Sequence, residues 1–276
     1  MKDKYRVVIV APEGYRHALC FTEVAFLLKN SLCELGYDCE MGINEFAKDR
    51  INIVVGFHLL RYSDGLLSFR YIPYQLEQLS TVEGVFSDNV KALLATASEV
   101  WDYSQENIAF LKAAGITAKH LPVGYHQSLE QVPGSLQKDI DVLFYGSVTE
   151  RRKAVVDEIE RRGAKVKVLF GVYGKERDAC IGRSRIVLNI HFYDAKIFEA
   201  VRVSYLLNNR CCIVSEESPQ YPYAGVNIPL VPHEKLVARC MELLNCGDGL
   251  MRRLADENYR EFKQKFAMTD LIKNVM

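Results

Sequence analysis

The sequence lacks net charge: 35 lysines and arginines meet 35 aspartates and glutamates. No whole-protein field therefore gathers a polyanion, and nothing global argues for nucleic acid. It also lacks any apolar run near the ~20 residues of a membrane helix. Lys2 and Lys4 precede an apolar stretch confined to residues 7–11, too short for the core of a secretory leader. The expectation is a cytoplasmic chain whose membrane contact, if any, is peripheral. Eight cysteines, at 20, 33, 39, 180, 211, 212, 240 and 246, include no C-x-x-C pair, so zinc ribbons and dithiol redox motifs are excluded. Several lie inside apolar runs and read as reduced, buried thiols. Missing too are a G-x-G-x-x-G after either candidate first strand, a phosphate loop, a G-x-S-x-G elbow and an H-E-x-x-H helix. Dinucleotide enzymes, P-loop kinases, α/β-hydrolases and zincins drop out with them.

What is present is ordinary globular composition, 49% hydrophobic and 25% charged over 276 residues, a length that favours two domains. Strand and helix patterns alternate. Strands are predicted at 5–10, 38–42 and 51–55, an extended segment at 70–73 and a strand at 99–102, with helices at 18–35, 89–96 and 104–114. After an extended stretch at 116–125, the polar segment 127–138 carries Pro133, Gly134 and Ser135 and reads as a linker. The alternation then restarts: strands at 141–145, 165–170, 185–189 and 211–215, helices at 150–162, 195–207, 234–245 and 248–266. The predicted fold class is α/β, two Rossmann-like domains with parallel sheets covered on both faces. Their boundaries fall at 1–125 and 141–276, with 126–140 between.

Open parallel sheets bind ligands beyond the carboxyl ends of their strands. In the second half those loops carry phosphate and ribose chemistry. Gly146-Ser147 leads into a helix whose first turn holds Arg151, Arg152 and Lys153. A helix N-terminus with free N–H groups and adjacent cations suits a diphosphate, although a turn followed by a solvated basic face reads equally well. Gly171-Val172-Tyr173-Gly174-Lys175 ends another strand with two glycines and a cation. The stretch from Val187 to Arg202 places His191 at a strand end and Glu199 early in the following helix. A carboxylate there can grip both hydroxyls of a ribose, while the plainer alternatives are a dipole-favoured Glu and a hydrogen-bonded core His.

Residues 141–217 resemble the donor-binding domain of GT-B glycosyltransferases, closest to the "glycosyl transferases group 1" set that includes the CgeB-like spore proteins. Many retaining members carry Glu-x7-Glu. Here the spacing from 191 to 199 is kept, with His191 in the first position and Glu199 matching the second. The first half resembles an acceptor domain more loosely, through residues 71–79, 100–104 and 121–125. At 276 residues the chain is short for that fold, which implies trimmed loops.

The resemblance implies two domains facing across a cleft, with the C-terminal helix packing back towards the N-terminal domain. It implies transfer of a sugar from a nucleoside-diphosphate sugar, UDP by default, with no resident cofactor and no metal. The donor residues would be Gly146, Ser147, Arg151, Arg152, Gly171, Val172, Tyr173, Lys175, Lys196, Glu199 and Arg202, with His191 near the transferred sugar. On the acceptor side stand Glu13, Tyr15, His17 and His58; a base is needed only if configuration inverts, and Glu13, His17 or His58 could serve; the balance tilts to retention. The acceptor is open: a glycan, lipid-linked sugar, protein, metabolite or modified nucleic-acid base. Two other activities remain, a nucleotide-sugar epimerase and a non-catalytic nucleotide-binding or assembly module.

Overall fold

A computed structural model describes residues 2–61, 68–79, 85–134, 137–193 and 195–276. The chain divides into two compact units: Met1–Ser128 with Ala267–Met276, and Leu129–Phe266.

The first unit holds a parallel sheet in the order β2-β1-β3-β4-β5-β6, from β1 (Lys4–Ile9), β2 (Asp38–Ile43), β3 (Ile51–Val55), β4 (Tyr71–Gln75), β5 (Trp101–Asp102) and β6 (Lys119–His120). β3 reads Ile-Asn-Ile-Val-Val and is buried throughout, as a strand covered on both faces requires. Helix α1 (Thr22–Glu34) buries Val24, Leu27, Leu28 and Leu32. α2 (Asp88–Ala95) and α3 (Gln105–Ala113) start at Ser87 and Ser104, whose hydroxyls accept from Val90 N and Asn107 N. Val54, Phe57, Tyr71, Leu93, Leu94 and Leu111 pack together in this unit's core.

The second unit holds the parallel order β11-β10-β9-β7-β8, from β7 (Ile140–Tyr145), β8 (Val166–Leu169), β9 (Ser184–Asn189), β10 (Ile213–Glu216) and β11 (Leu230–Val231). Its helices are α4 (Glu150–Arg161), α5 (Gly174–Arg183), α6 (Ala200–Asn208), α7 (Leu236–Cys246) and α8 (Asp248–Lys265). Val142, Phe144, Val156, Ile159, Ile186 and Leu188 are among its core.

Four differences from the sequence expectations have physical causes. α5 forms where the pattern suggested no helix: its inner face buries the ion pair Arg177–Asp178, at 2.8 Å, along with Ile181, and shows no apolar stripe. α6 begins at Ala200, five residues later than expected: Lys196 takes φ 52°, which no helix tolerates, and buried Ile197 and Phe198 hold the preceding loop in place. Residues 129–134, expected as linker, are tied to the second unit by one side chain. Asn209 Oδ1 accepts from Gln131 N (2.8 Å) and Val132 N (2.9 Å), and its Nδ2 donates to Leu129 O (2.8 Å). Ser135 and Leu136 of that segment lie outside the described residues. Finally, the expected C-terminal helix ends with Lys265 in the second unit, and the chain continues into α9 (Met268–Lys273) of the first. Met268 and Ile272 are fully buried there, and Met268 N donates to Tyr125 O at 2.8 Å.

Candidate functional site

At the carboxyl end of the second unit's sheet, neighbouring strands deliver four short segments side by side. β7 leads to Gly146 and Ser147, β8 to 170–173, β9 to His191, and β10 ends on Glu216. Gly146 has φ 131°, and a Cβ there would lie 2.9 Å from Arg202 Nη2. Only glycine lets that guanidinium sit so close.

α4 opens at Thr149, whose hydroxyl accepts from Arg152 N at 3.3 Å. The helix then turns its first basic residues in different directions. Arg152 falls on the buried stripe with Val155, Val156 and Ile159 and is 2% exposed. Its guanidinium donates to Ile190 O (2.5 Å), Ser147 O (2.9 Å) and His191 O (3.3 Å), reaches Glu199 Oε1 at 3.4 Å, and lies over the rings of Phe144 and Phe192. Burial pushes its pKa down to about 10, with Glu199 acting in the opposite sense. Expected to meet a diphosphate directly, Arg152 spends its donors on the loops that shape the site. Arg151, one position earlier and 36% exposed, pairs both terminal nitrogens with the fully buried carboxylate of Glu216. Lys153 faces outward to Asp157.

Glu216 also accepts from His191 N at 3.2 Å and stands 3.4 Å from Lys196 Nζ. Burial raises its pKa, but the bonds and charge of Arg151 outweigh it, and the net shift is downward. Glu199 is the N-cap residue of α6, yet its side chain makes no capping bond. The carboxylate lies between Arg152 and, at 3.7 Å, Arg202, both long contacts. Arg202 itself donates to Asn189 Oδ1 at 2.8 Å and covers the Tyr145 ring. His191 is 1% exposed; its Nε2 lies 3.1 Å from Glu217 O and 2.9 Å from Ser218 Oγ, while Nδ1 is buried with no partner. Because a carbonyl only accepts, Nε2 carries the proton and Nδ1 is a bare acceptor; burial lowers the ring's pKa and keeps it neutral.

Gly171, at φ 68°, and half-buried Val172 and Tyr173 follow the edge strand β8, and Lys175 stands exposed in the first turn of α5. The structure thus brings the expected donor residues to one sheet end. Sequence reasoning missed Glu216, whose position at the end of a predicted buried strand was the available signal, and Arg177, whose guanidinium covers Tyr205 and Tyr145.

In the first unit, Glu13, Tyr15 and His17 are exposed after β1, with the Tyr15 and His17 rings 5.5 Å apart. His58 follows β3, the neighbour of β1, with Nε2 3.9 Å from Glu77 Oε1. Burial pushes its pKa down to about 4. A separate cavity of about 590 Å³ in the second unit opens at the amino ends of the strands, lined by Lys138, Arg185, Cys211 and Arg252 among others; it contains none of the residues above.

No protein-family model matches the chain. Two uncharacterized proteins of Acanthamoeba polyphaga mimivirus are similar to it: R358, 28% identical over 165 residues (57% of this chain, 57% of R358), and L140, 26% identical over 187 residues (64% and 60%). A third, L137, is 26% identical over 193 residues, 66% of this chain and 26% of L137. The chain thus matches between about a quarter and three fifths of their lengths. Among solved structures, trehalose 6-phosphate synthase from Burkholderia multivorans superposes with TM-score 0.64 at 9% identity, covering 100% of this chain and 98% of that one. AviGT4, a glycosyltransferase involved in avilamycin A biosynthesis, gives 0.60 at 12% identity (99% and 96%). S. aureus TarM, solved with UDP, gives 0.56 at 10% (83% and 55%).

The fold is that of the GT-B glycosyltransferases. The two parallel sheets match this GT-B fold across the chain, and among the described residues no helix is long and apolar enough to cross a membrane.

Proposed function

We propose that the chain is a glycosyltransferase that binds a nucleoside-diphosphate sugar at the carboxyl end of the second unit's sheet. The observation that carries this reading is Glu199. Its carboxylate caps no helix nitrogen and makes only long contacts to Arg152 and Arg202, so acceptor capacity remains for two pentose hydroxyls. Around it Arg151, Lys196, Arg152 and Arg202 outnumber Glu199 and Glu216 by two charges, the balance a diphosphate needs.

In the proposed reaction an acceptor hydroxyl oxygen bonds to the anomeric carbon as the bond from that carbon to the diphosphate oxygen breaks; the leaving oxygens take up the hydroxyl proton, and negative charge grows on them. Exposed Arg151, Lys196 and Lys175 and the N–H groups at the start of α4 stabilise it, with no resident cofactor and no metal in the scheme. Arg152 and Arg202 fix the loops and the ribose carboxylate. His191 Nδ1 supplies an acceptor for a hydroxyl of the transferred sugar. Uridine is the proposed base, in keeping with TarM and the pneumococcal O-GlcNAc transferase GtfA, both solved with UDP. Transfer with retention is proposed: His58, one of the candidate bases, is poorly basic, with a pKa about 4. Glu13, Tyr15 and His17 are proposed for the acceptor side.

Incubation with a panel of nucleotide-sugars, read by mass spectrometry, tests the reading. The expected result is retention of one donor and its slow hydrolysis to UDP; no binding and no turnover of any donor contradicts it. The near-complete burial of His191 favours one second reading, a non-catalytic nucleotide-binding module. UDP binding without hydrolysis or transfer would select it.

A further inference from the structure

Glu216 is the most enclosed charged group at this sheet end: its side chain is 0% exposed, yet its two ion-pair partners, Arg151 and Lys196, are 36% and 46% exposed. It ties together three separate segments, the first turn of α4 through Arg151, the end of β9 through His191 N, and the loop before α6 through Lys196. Lys196 is one of the few non-glycine residues at positive φ, 52°, a backbone cost its ion pair to Glu216 helps to offset. A buried ion pair adds little net stability over an apolar pair of the same shape. Its gain is positional, since a carboxylate bonded to both terminal nitrogens of a guanidinium fixes that plane where a single contact would not. The bonds and charge of Arg151 outweigh burial and keep Glu216 ionised.

We propose that Glu216 is the positioning residue of the diphosphate subsite, setting Arg151 and Lys196 side by side so that both meet the oxygens of one diphosphate. This rests on the donor-site reading above. Glu216 touches no substrate in this scheme and acts through its two cations.

Charge and positioning give opposite signs, which makes the idea testable. Replacing Glu216 by Gln removes one negative charge from the site, which by Coulomb attraction alone tightens a polyanion. Loss of the bidentate anchor loosens it. Calorimetry with UDP and with uridine on the full chain separates the two, because uridine lacks the diphosphate and reports whether the rest of the pocket is intact.

The expected result is at least a tenfold loss of UDP affinity in Glu216→Gln with uridine changed less than twofold. Arg151→Lys, at a part-exposed position, keeps the charge but cannot form the two-pronged bond, and is expected to lose UDP selectively as well. Should Glu216→Gln fail to fold, Arg151→Lys decides. Wild-type UDP binding with Glu216→Gln equal or tighter overturns the proposal and leaves the donor site standing, as does unchanged UDP affinity in Arg151→Lys. A wild-type chain that binds no UDP overturns both.

Discussion

The two sheets share parallel order and buried strands, but their carboxyl ends are electrostatically different. In the second unit Glu199 and Glu216 are each paired with guanidinium or ammonium groups at that end, and around these two carboxylates cations are in excess. In the first, His58 is held neutral beside Glu77, and Asp102 is fully buried, its carboxyl pushed well above the usual range by burial although it accepts from Ser104 N and Asn107 Nδ2. One end gathers charge; at the other, burial disfavours the charged forms of His58 and Asp102. The lesson is that strand-end side chains choose the ligand class while the sheet only supplies the place.

Breaking the charged end should cost most. Arg152→Met removes a buried guanidinium that donates to the carbonyls of Ser147, Ile190 and His191, and leaves Glu199 only its long contact to Arg202 among the described ion pairs. A loss of about 3–5 kcal/mol is expected, measured by urea unfolding followed by circular dichroism. A stability change below about 1 kcal/mol would remove the clamp role.

The neutral end should reveal itself through pH. An unfolded histidine titrates near 6.5 and His58 in the fold at about 4, so the unfolded chain binds the proton first. The stability this supplies, about 3 kcal/mol, is complete above pH ~6.5 and is lost as pH falls to ~4. Acid unfolding followed by the fluorescence of buried Trp101, in the same unit, should show it, and His58→Phe should flatten that slope.

Smaller changes sharpen the contrast. Glu199→Ala is expected to weaken UDP about 10- to 100-fold, or about 1.4–2.7 kcal/mol, with the fold intact by circular dichroism; unchanged affinity in calorimetry would count against the ribose role. Gly146→Ala puts a Cβ against Arg202 at positive φ and should cost about 1–2 kcal/mol in thermal unfolding. Lys175→Ala, exposed and without an ion pair among the described residues, should lower UDP affinity only about threefold, an effect that fades in high salt.

Much of this was legible in the residues. β-branched runs such as 51–55 and the glycine stops at 36 and 163 mark strands and helix ends directly. The spacing from His191 to Glu199 marks the candidate site. What the pattern hid was direction. Three consecutive cations, 151–153, look alike on paper, yet Arg152 shares the i, i+3, i+4, i+7 stripe of Val155, Val156 and Ile159 and must point inward. α5 was invisible because its buried face is an ion pair. The positive φ at Lys196 is set by tertiary contacts that no local rule carries, and the return of residues 267–276 to the first unit rests on the burial of Met268 and Ile272.

The most direct measurement is amide hydrogen exchange of the chain with and without UDP. The expected result is protection gathered at 146–153, 190–199 and 215–217, the segments that Glu216 and Arg152 tie together. Protection at 181–185 and 208–212 instead, around the cavity at the amino ends of the strands, or no protection at all, would contradict it.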